Sequence, residues 1–289
     1  MVELLFSYAF LTLIAVGFFS LGRVFGIRFP LGGTVFCAFS LLFGGLMCWV
    51  AGGDLRWAIW VPAFIAYQMS YSPALLVVFA AGSLSVNQTV RARSRGVLSG
   101  ALCLAVSALF GGALLRPYCR PPQLSQNNLW AEGVCLQSHE SSCVPAAASS
   151  LLHLYGLEFG ERKLAEFALT SLDGTPPLGS FLAISQAAEG SDFKACIQLK
   201  QPVEDVVAHL PILAHVRFDE STESGPNKPS IYSRFLHGIR ARSEGHAVVI
   251  VKRGEDGWEV ADPASGSVIW SNEYLAESWD GEGVYLCPK

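Results

Sequence analysis

A cysteine opening a helix, a histidine opening a strand and an aspartate closing the next strand are the parts of a nucleophilic site. This chain of 289 residues carries them in that order. Its segment from Leu136 to Ala148 reads LQSHESSCVPAAA. Ser142 is placed to cap a helix, and Pro145 falls in the first turn, where its missing N–H costs nothing. The helix is predicted to run through Leu151, Leu152 and Tyr155 and to stop at Gly156. Cys143 then sits at a helix N-terminus, where the backbone dipole favours a thiolate. Downstream, Gly245 to Val251 reads as a buried strand opening with His246, and Trp258 to Pro263 as a second strand ending in Asp262. A turn from Arg253 to Gly257 separates them, so a hairpin can bring the two side chains together. In that arrangement His246 is a general base for Cys143, and Asp262 orients the base. Gln137 can offer its side-chain N–H to an oxyanion, with the Cys143 backbone N–H as second donor. The competing reading is a structural cysteine, the commoner role for that residue at a helix start.

The order of segments resembles cysteine peptidase family 39, the papain-like double-glycine leader peptidases that trim bacteriocin precursors. Gln137 and Cys143 match its glutamine and nucleophile in spacing. Asp173-Gly174-Thr175 with Leu178 to Glu189 is similar to its Gly-Thr turn and helix, and Leu210 to Val216 to the strand before its histidine. Gly245 to Val251 and Ala261-Asp262-Pro263-Ala264-Ser265-Gly266 resemble its His strand and Asp-Pro-Ala-Gly segment, and Glu273 to Leu286 its closing helix and strand. The resemblance spans residues 135 to 289. It implies an α+β, papain-like cysteine peptidase domain with Cys143 as nucleophile, His246 as general base, Asp262 as its orienter and Gln137 as oxyanion donor. It also implies a precursor or leader peptide as substrate, cut after small residues such as Gly-Gly, with no cofactor and no metal. Three features depart from the family. Ser142-Cys143-Val144 stands where Asp-Cys-Gly is usual. An insertion, 217–244, can hold an amphipathic helix (Ile231, Phe235, Leu236 and Ile239 opposite Arg234, Arg240 and Arg242), as a lid, a membrane contact or a plain loop. No GxxxxGK[ST] loop is present, so an ABC exporter enters only as a separate partner. A catalytically silent peptidase-like binding module and a Cys-dependent amidase or transpeptidase are the alternative functions.

What carries this domain is read from composition. Residues 1–115 hold six arginines, no lysine and two acids, Glu3 and Asp54; residues 116–289 hold the other 14 basic and 22 acidic residues. Net charges of +4 and −8 follow, and the acidic polar half excludes a basic nucleic-acid binder. Crossing a bilayer takes about 20 apolar residues. Residues 4–22, 31–53, 57–82 and 97–115 offer four runs free of Asp, Glu, Lys and Arg, so a four-helix transmembrane region in the lipid bilayer is expected. Pro62 and Pro73 interrupt the third run, and Gly44-Gly45 and Gly111-Gly112 suit close helix contacts. Arg23, Arg28, Arg91, Arg93 and Arg95 lie on one side of these runs, against Arg56, Arg116 and Arg120 on the other. This bias puts the peptidase-like half outside the cytoplasm, beyond a linker at 116–134.

Cys119, Cys135, Cys143, Cys196 and Cys287 lie outside the runs, with no CxxC or CxxxH spacing for zinc. Their odd number fits two disulfides and one free thiol; Cys119 with Cys135 and Cys196 with Cys287 are the candidate pairs, among three pairings that four cysteines allow. His139 is close enough to tune Cys143, whereas His153, His209, His215 and His237 are expected to pack or face solvent.

Overall fold

The computed structural model describes residues 2–51, 53–70, 72–88, 91–200, 202–217 and 245–289. The chain divides into two compact units, Met1–Arg116 and Pro117–Lys289. Most of the insertion, including His237, lies outside the described residues.

The first unit is helical: α1 (Val2–Arg28), α2 (Pro30–Ala51), α3 (Trp57–Trp60), α4 (Ala63–Met69), α5 (Ala74–Val86) and α6 (Ala92–Cys119). Among the residues whose side chains are described, no helix is long and apolar enough to cross a membrane. The run at 57–82, expected as one helix, is three. Val61 is extended (φ −135°, ψ 137°), because the ring of Pro62 disfavours helical backbone in the residue before it. Pro73 caps α5. At the end of α4 the Ser70 hydroxyl donates to the Tyr67 carbonyl (2.6 Å) and accepts the Gly53 N–H (3.0 Å). Helices α1 and α5 approach closely at Gly22, Gly26 and Gly82, where an added Cβ would run into backbone of the facing helix. Gly44 packs on the Pro73 carbonyl, while nothing lies near Gly45.

The second unit opens with a hairpin of β1 (Leu129–Ala131) and β2 (Val134–Leu136). Its two turn residues, Glu132 (φ 50°) and Gly133 (φ 79°), both have the positive φ that matches the twist of the flanking strands. Three helices follow, α7 (Cys143–Leu154), α8 (Glu161–Phe167) and α9 (Pro177–Ala187). Then come β3 (Phe193–Gln198), a 3-10 turn (Val203–His209), β4 (Ile212–Val216), β5 (His246–Arg253), β6 (Trp258–Asp262), β7 (Gly266–Trp270), α10 (Asn272–Ser278) and β8 (Trp279–Pro288). The strands form one antiparallel sheet in the order β3-β8-β4-β5-β6-β7. Helices first and sheet after is the α+β arrangement expected from the sequence.

Helix α7 packs on β5. Its residues from Val144 to Leu152 are all buried, and three of them, Ala146, Ala147 and Ala148, are small enough to let the helix approach closely. Gly156 (φ 74°) lies just past its end. Alternate residues of the sheet (Ile212, Ala214 and Val216; Val248 and Ile250; Val260) build a core closed by Trp258, Trp270 and Leu275.

Strand β3 is tied to β8 by a disulfide, Cys196–Cys287, with Cα atoms 6.1 Å apart. The other candidate pair is not bonded: Cys119 is exposed at the end of α6, and Cys135 is buried in β2. Burial pushes the Cys135 thiol up to about 11; the nearby Glu161 adds to this, against a hydrogen bond with Ser149. The Cys196–Cys287 link spans 91 residues, so replacing Cys196 by Ala is expected to cost about 2–4 kcal/mol of unfolding free energy. Denaturant titration of both proteins, with and without reductant, checks this: reductant should destabilise the parent and leave the variant unchanged.

Candidate active site

Three elements converge at the end of β5. Cys143 is the first residue of α7, half-buried and with a free thiol. His246 opens β5, and its Nε2 lies 2.8 Å from Asp262 Oδ1 at the end of β6. A carboxylate can only accept, so Nε2 carries the hydrogen. Cys143 hydrogen-bonds the same ring. Both His246 and Asp262 are largely shielded from solvent, with side chains 16% and 13% exposed.

Burial disfavours the charged ring, but the hydrogen bonds and charges of Asp262 and Cys143 outweigh it and push the His246 pKa up to about 9. Burial also works against the Asp262 carboxylate. Three donors overcome it: His246, the Ala264 N–H (2.8 Å) and the Ser265 hydroxyl (2.8 Å) hold Asp262 below the usual carboxylate range. At neutral pH the ring is therefore cationic.

Gln137 is brought to the same place. Its backbone N–H donates to the Pro263 carbonyl (2.8 Å), next to Asp262, and its side-chain Oε1 is buried with no hydrogen-bond partner. The expected cap at Ser142 is formed differently. Its hydroxyl bonds no N–H of α7; it accepts the His139 N–H (3.1 Å) and donates to the His139 carbonyl (2.7 Å), closing the turn before Cys143. Within that turn the Ser141 N–H donates to His139 Nδ1 (3.1 Å).

Three further histidines make contacts of their own. His153 pairs with Glu158 at the surface, and His209 stacks on Tyr285. His215 shares a hydrogen bond with Ser180; burial lowers its pKa to about 4, although the nearby Asp280 opposes this. No group of three or more His, Cys, Asp or Glu arranged to hold a metal occurs among the described residues.

Sequence reasoning missed the groups that hold this site in place. Ala264 and Ser265 were read only as part of a segment, though Asp-Pro-Ala-Ser is a turn in which following residues can bond back to the aspartate. Glu161 was not singled out at all. It is 1% exposed, and its carboxylate accepts both the Ser138 N–H (2.8 Å) and the Ser138 hydroxyl (2.7 Å).

No protein-family model matches the chain. It is 27% identical over 158 residues to the lactococcin-G-processing and transport ATP-binding protein LagD of Lactococcus lactis subsp. lactis, a match covering 54% of this chain and 18% of that protein. Among solved structures it is similar to the peptidase domain of Streptococcus ComA, a bifunctional ABC transporter of a quorum-sensing pathway: 18% identity, TM-score 0.41, 54% of this chain and 98% of that one. It is also similar to a double glycine motif protease from an AMS/PCAT transporter, in complex with its leader peptide: 17% identity, TM-score 0.40, 57% and 97%.

The raised pKa of His246 makes a stability statement. An unfolded histidine loses its proton near 6.5, whereas His246 keeps it to about 9. The ion pair's contribution is therefore whole below pH 6.5 and is lost as pH rises through 9. Asp262, with its depressed pKa, contributes above the ordinary carboxylate range and loses this as pH falls through its own lower value. Thermal unfolding between pH 6.5 and 9 should show an alkaline decline in the parent that is absent from His246→Ala; equal declines in the two would overturn the assignment.

Proposed function

We propose that the second unit is a cysteine-type peptidase that cleaves a precursor or leader peptide. The observation that carries this reading is the shared ring: His246 donates from Nε2 to the Asp262 carboxylate and also hydrogen-bonds the thiol of Cys143. A thiolate formed beside that cationic ring attacks the scissile backbone carbonyl. The resulting oxyanion is met by the side-chain N–H of Gln137 and by the backbone N–H of Cys143, which as the first helical residue has no acceptor within the helix. Collapse of the intermediate expels the amine, which takes the proton from His246, and leaves a thioester on Cys143. Water then attacks the thioester with His246 as base, releasing the acid and restoring the thiol. Above pH 9 the ring has no proton for the leaving amine, so turnover falls on that side.

The substrate class is carried over from the proteins that the chain resembles, so a double-glycine leader is the first peptide to offer. A separate exporter is the corresponding partner. We propose further that residues 1–115 associate with the membrane; their four uncharged apolar runs support this. The Cys196–Cys287 disulfide, with the arginine bias, supports placing the second unit on the oxidising side, outside the cytoplasm.

Peptide cleavage by the full chain in detergent, followed by mass spectrometry, tests the activity. Cys143→Ser and His246→Ala should each lose at least about 10³-fold in kcat, since nucleophile and base act as a unit. In parallel, iodoacetamide at pH 7 should label Cys143 at least about tenfold faster in the parent than in His246→Ala. Cleavage that survives Cys143→Ser would refute the proposal.

A further inference from the structure

Among the described residues, Glu161 is the one charged side chain that is fully buried. Removing a carboxylate from water is costly unless strong hydrogen bonds replace its hydration. Both of its oxygens are committed to one residue, Ser138, through the N–H and hydroxyl bonds given above. The direction of the hydroxyl bond is settled by a third contact: Ser138 Oγ also accepts the Ser125 N–H (3.0 Å), so its hydrogen points to Glu161. Charge-assisted bonds of this kind are about twice as strong as neutral ones. Glu161 is itself fixed, since its own N–H donates to Asn128 Oδ1 (3.1 Å).

Ser138 has no place in the chemistry, but its neighbour Gln137 does. The backbone of Gln137 is held on one side by the Pro263 carbonyl and on the other by the clamp on Ser138. The two anchors flank the Cα of Gln137, one on the N–H before it and one on the N–H of the peptide unit after it. They limit how the side chain of Gln137 can shift relative to Cys143, which follows the closed turn from His139 to Ser142. A shift of about 1 Å in such a group can cost 10²-fold in rate. We infer that Glu161 is a positioning residue for the oxyanion donor Gln137, acting through Ser138. This rests on the peptidase reading of the site.

The test is a double-mutant cycle on the full chain with the peptide cleaved by the parent. Gln137→Ala should lower kcat by about 10²-fold, the value of one oxyanion donor. Glu161→Gln keeps the shape of the side chain but has one acceptor fewer; it should lower kcat by about tenfold and leave KM within about twofold, because the oxyanion exists only past the ground state. In the Gln137→Ala background, Glu161→Gln should have no further effect. Hydrogen exchange supplies a readout independent of turnover: in Glu161→Gln the Gln137 amide should exchange faster while the amides of β5 are unchanged. Equal losses from Glu161→Gln in both backgrounds, a rise in KM with constant kcat, or an unaltered Gln137 amide would each overturn the inference. If the parent's cleavage survives Cys143→Ser, the peptidase reading itself has failed, and the positioning role falls with it.

Discussion

The pairing of β5 with β6 does two things with one set of backbone hydrogen bonds. It closes the middle of the sheet over the core, and it decides where His246 and Asp262 stand. Val249 faces Ala261 and Ile250 faces Val260. Continued by one residue, that register puts Asp262 opposite Val248, so His246 is its diagonal neighbour on the same face, within reach of an imidazole and a carboxylate. A slip of one residue would send one side chain to the far face. The ion pair is thus a result of register, and register is held by burial of Val248, Val249, Ile250, Val260 and Ala261.

The remaining parts of the site come from the helical side of the unit, and backbone contacts stitch them to the sheet. The Gln137 N–H reaches the Pro263 carbonyl, and α7 lies on β5. Cys143 therefore inherits its position from the packing of α7 on β5 and from the closed turn between His139 and Ser142. The chemistry and the packing are held by different atoms of the same short segment.

The elements bearing the reactive groups were legible in the sequence because their signals are local. Ser142, Pro145 and Gly156 mark the ends of α7, and two apolar runs around a polar turn mark β5 and β6. Signals that depend on distant or competing partners were not. The hydroxyl of Ser142 had two possible sets of partners, and the turn before it won over the helix after it. Cys196 finds Cys287 only because β3 pairs with β8, so counting cysteines could not select the pair or foresee that Cys119 and Cys135 stay apart. Glu161, in a polar stretch of ordinary composition, becomes a buried carboxylate through a contact 23 residues back along the chain. In the apolar run at 57–82 the interruptions at Pro62 and Pro73 were legible, and the structure breaks the helix before each.

The sheet order sets a schedule for assembly. Strand β8 lies between β3 and β4, although it follows α10 in the chain. Until the ribosome has delivered Trp279 to Pro288, β3 has no strand to join, and one edge of β4 stays open. The open edge of β4 is the surface on which a nascent chain of this kind is most exposed to pairing with a neighbour.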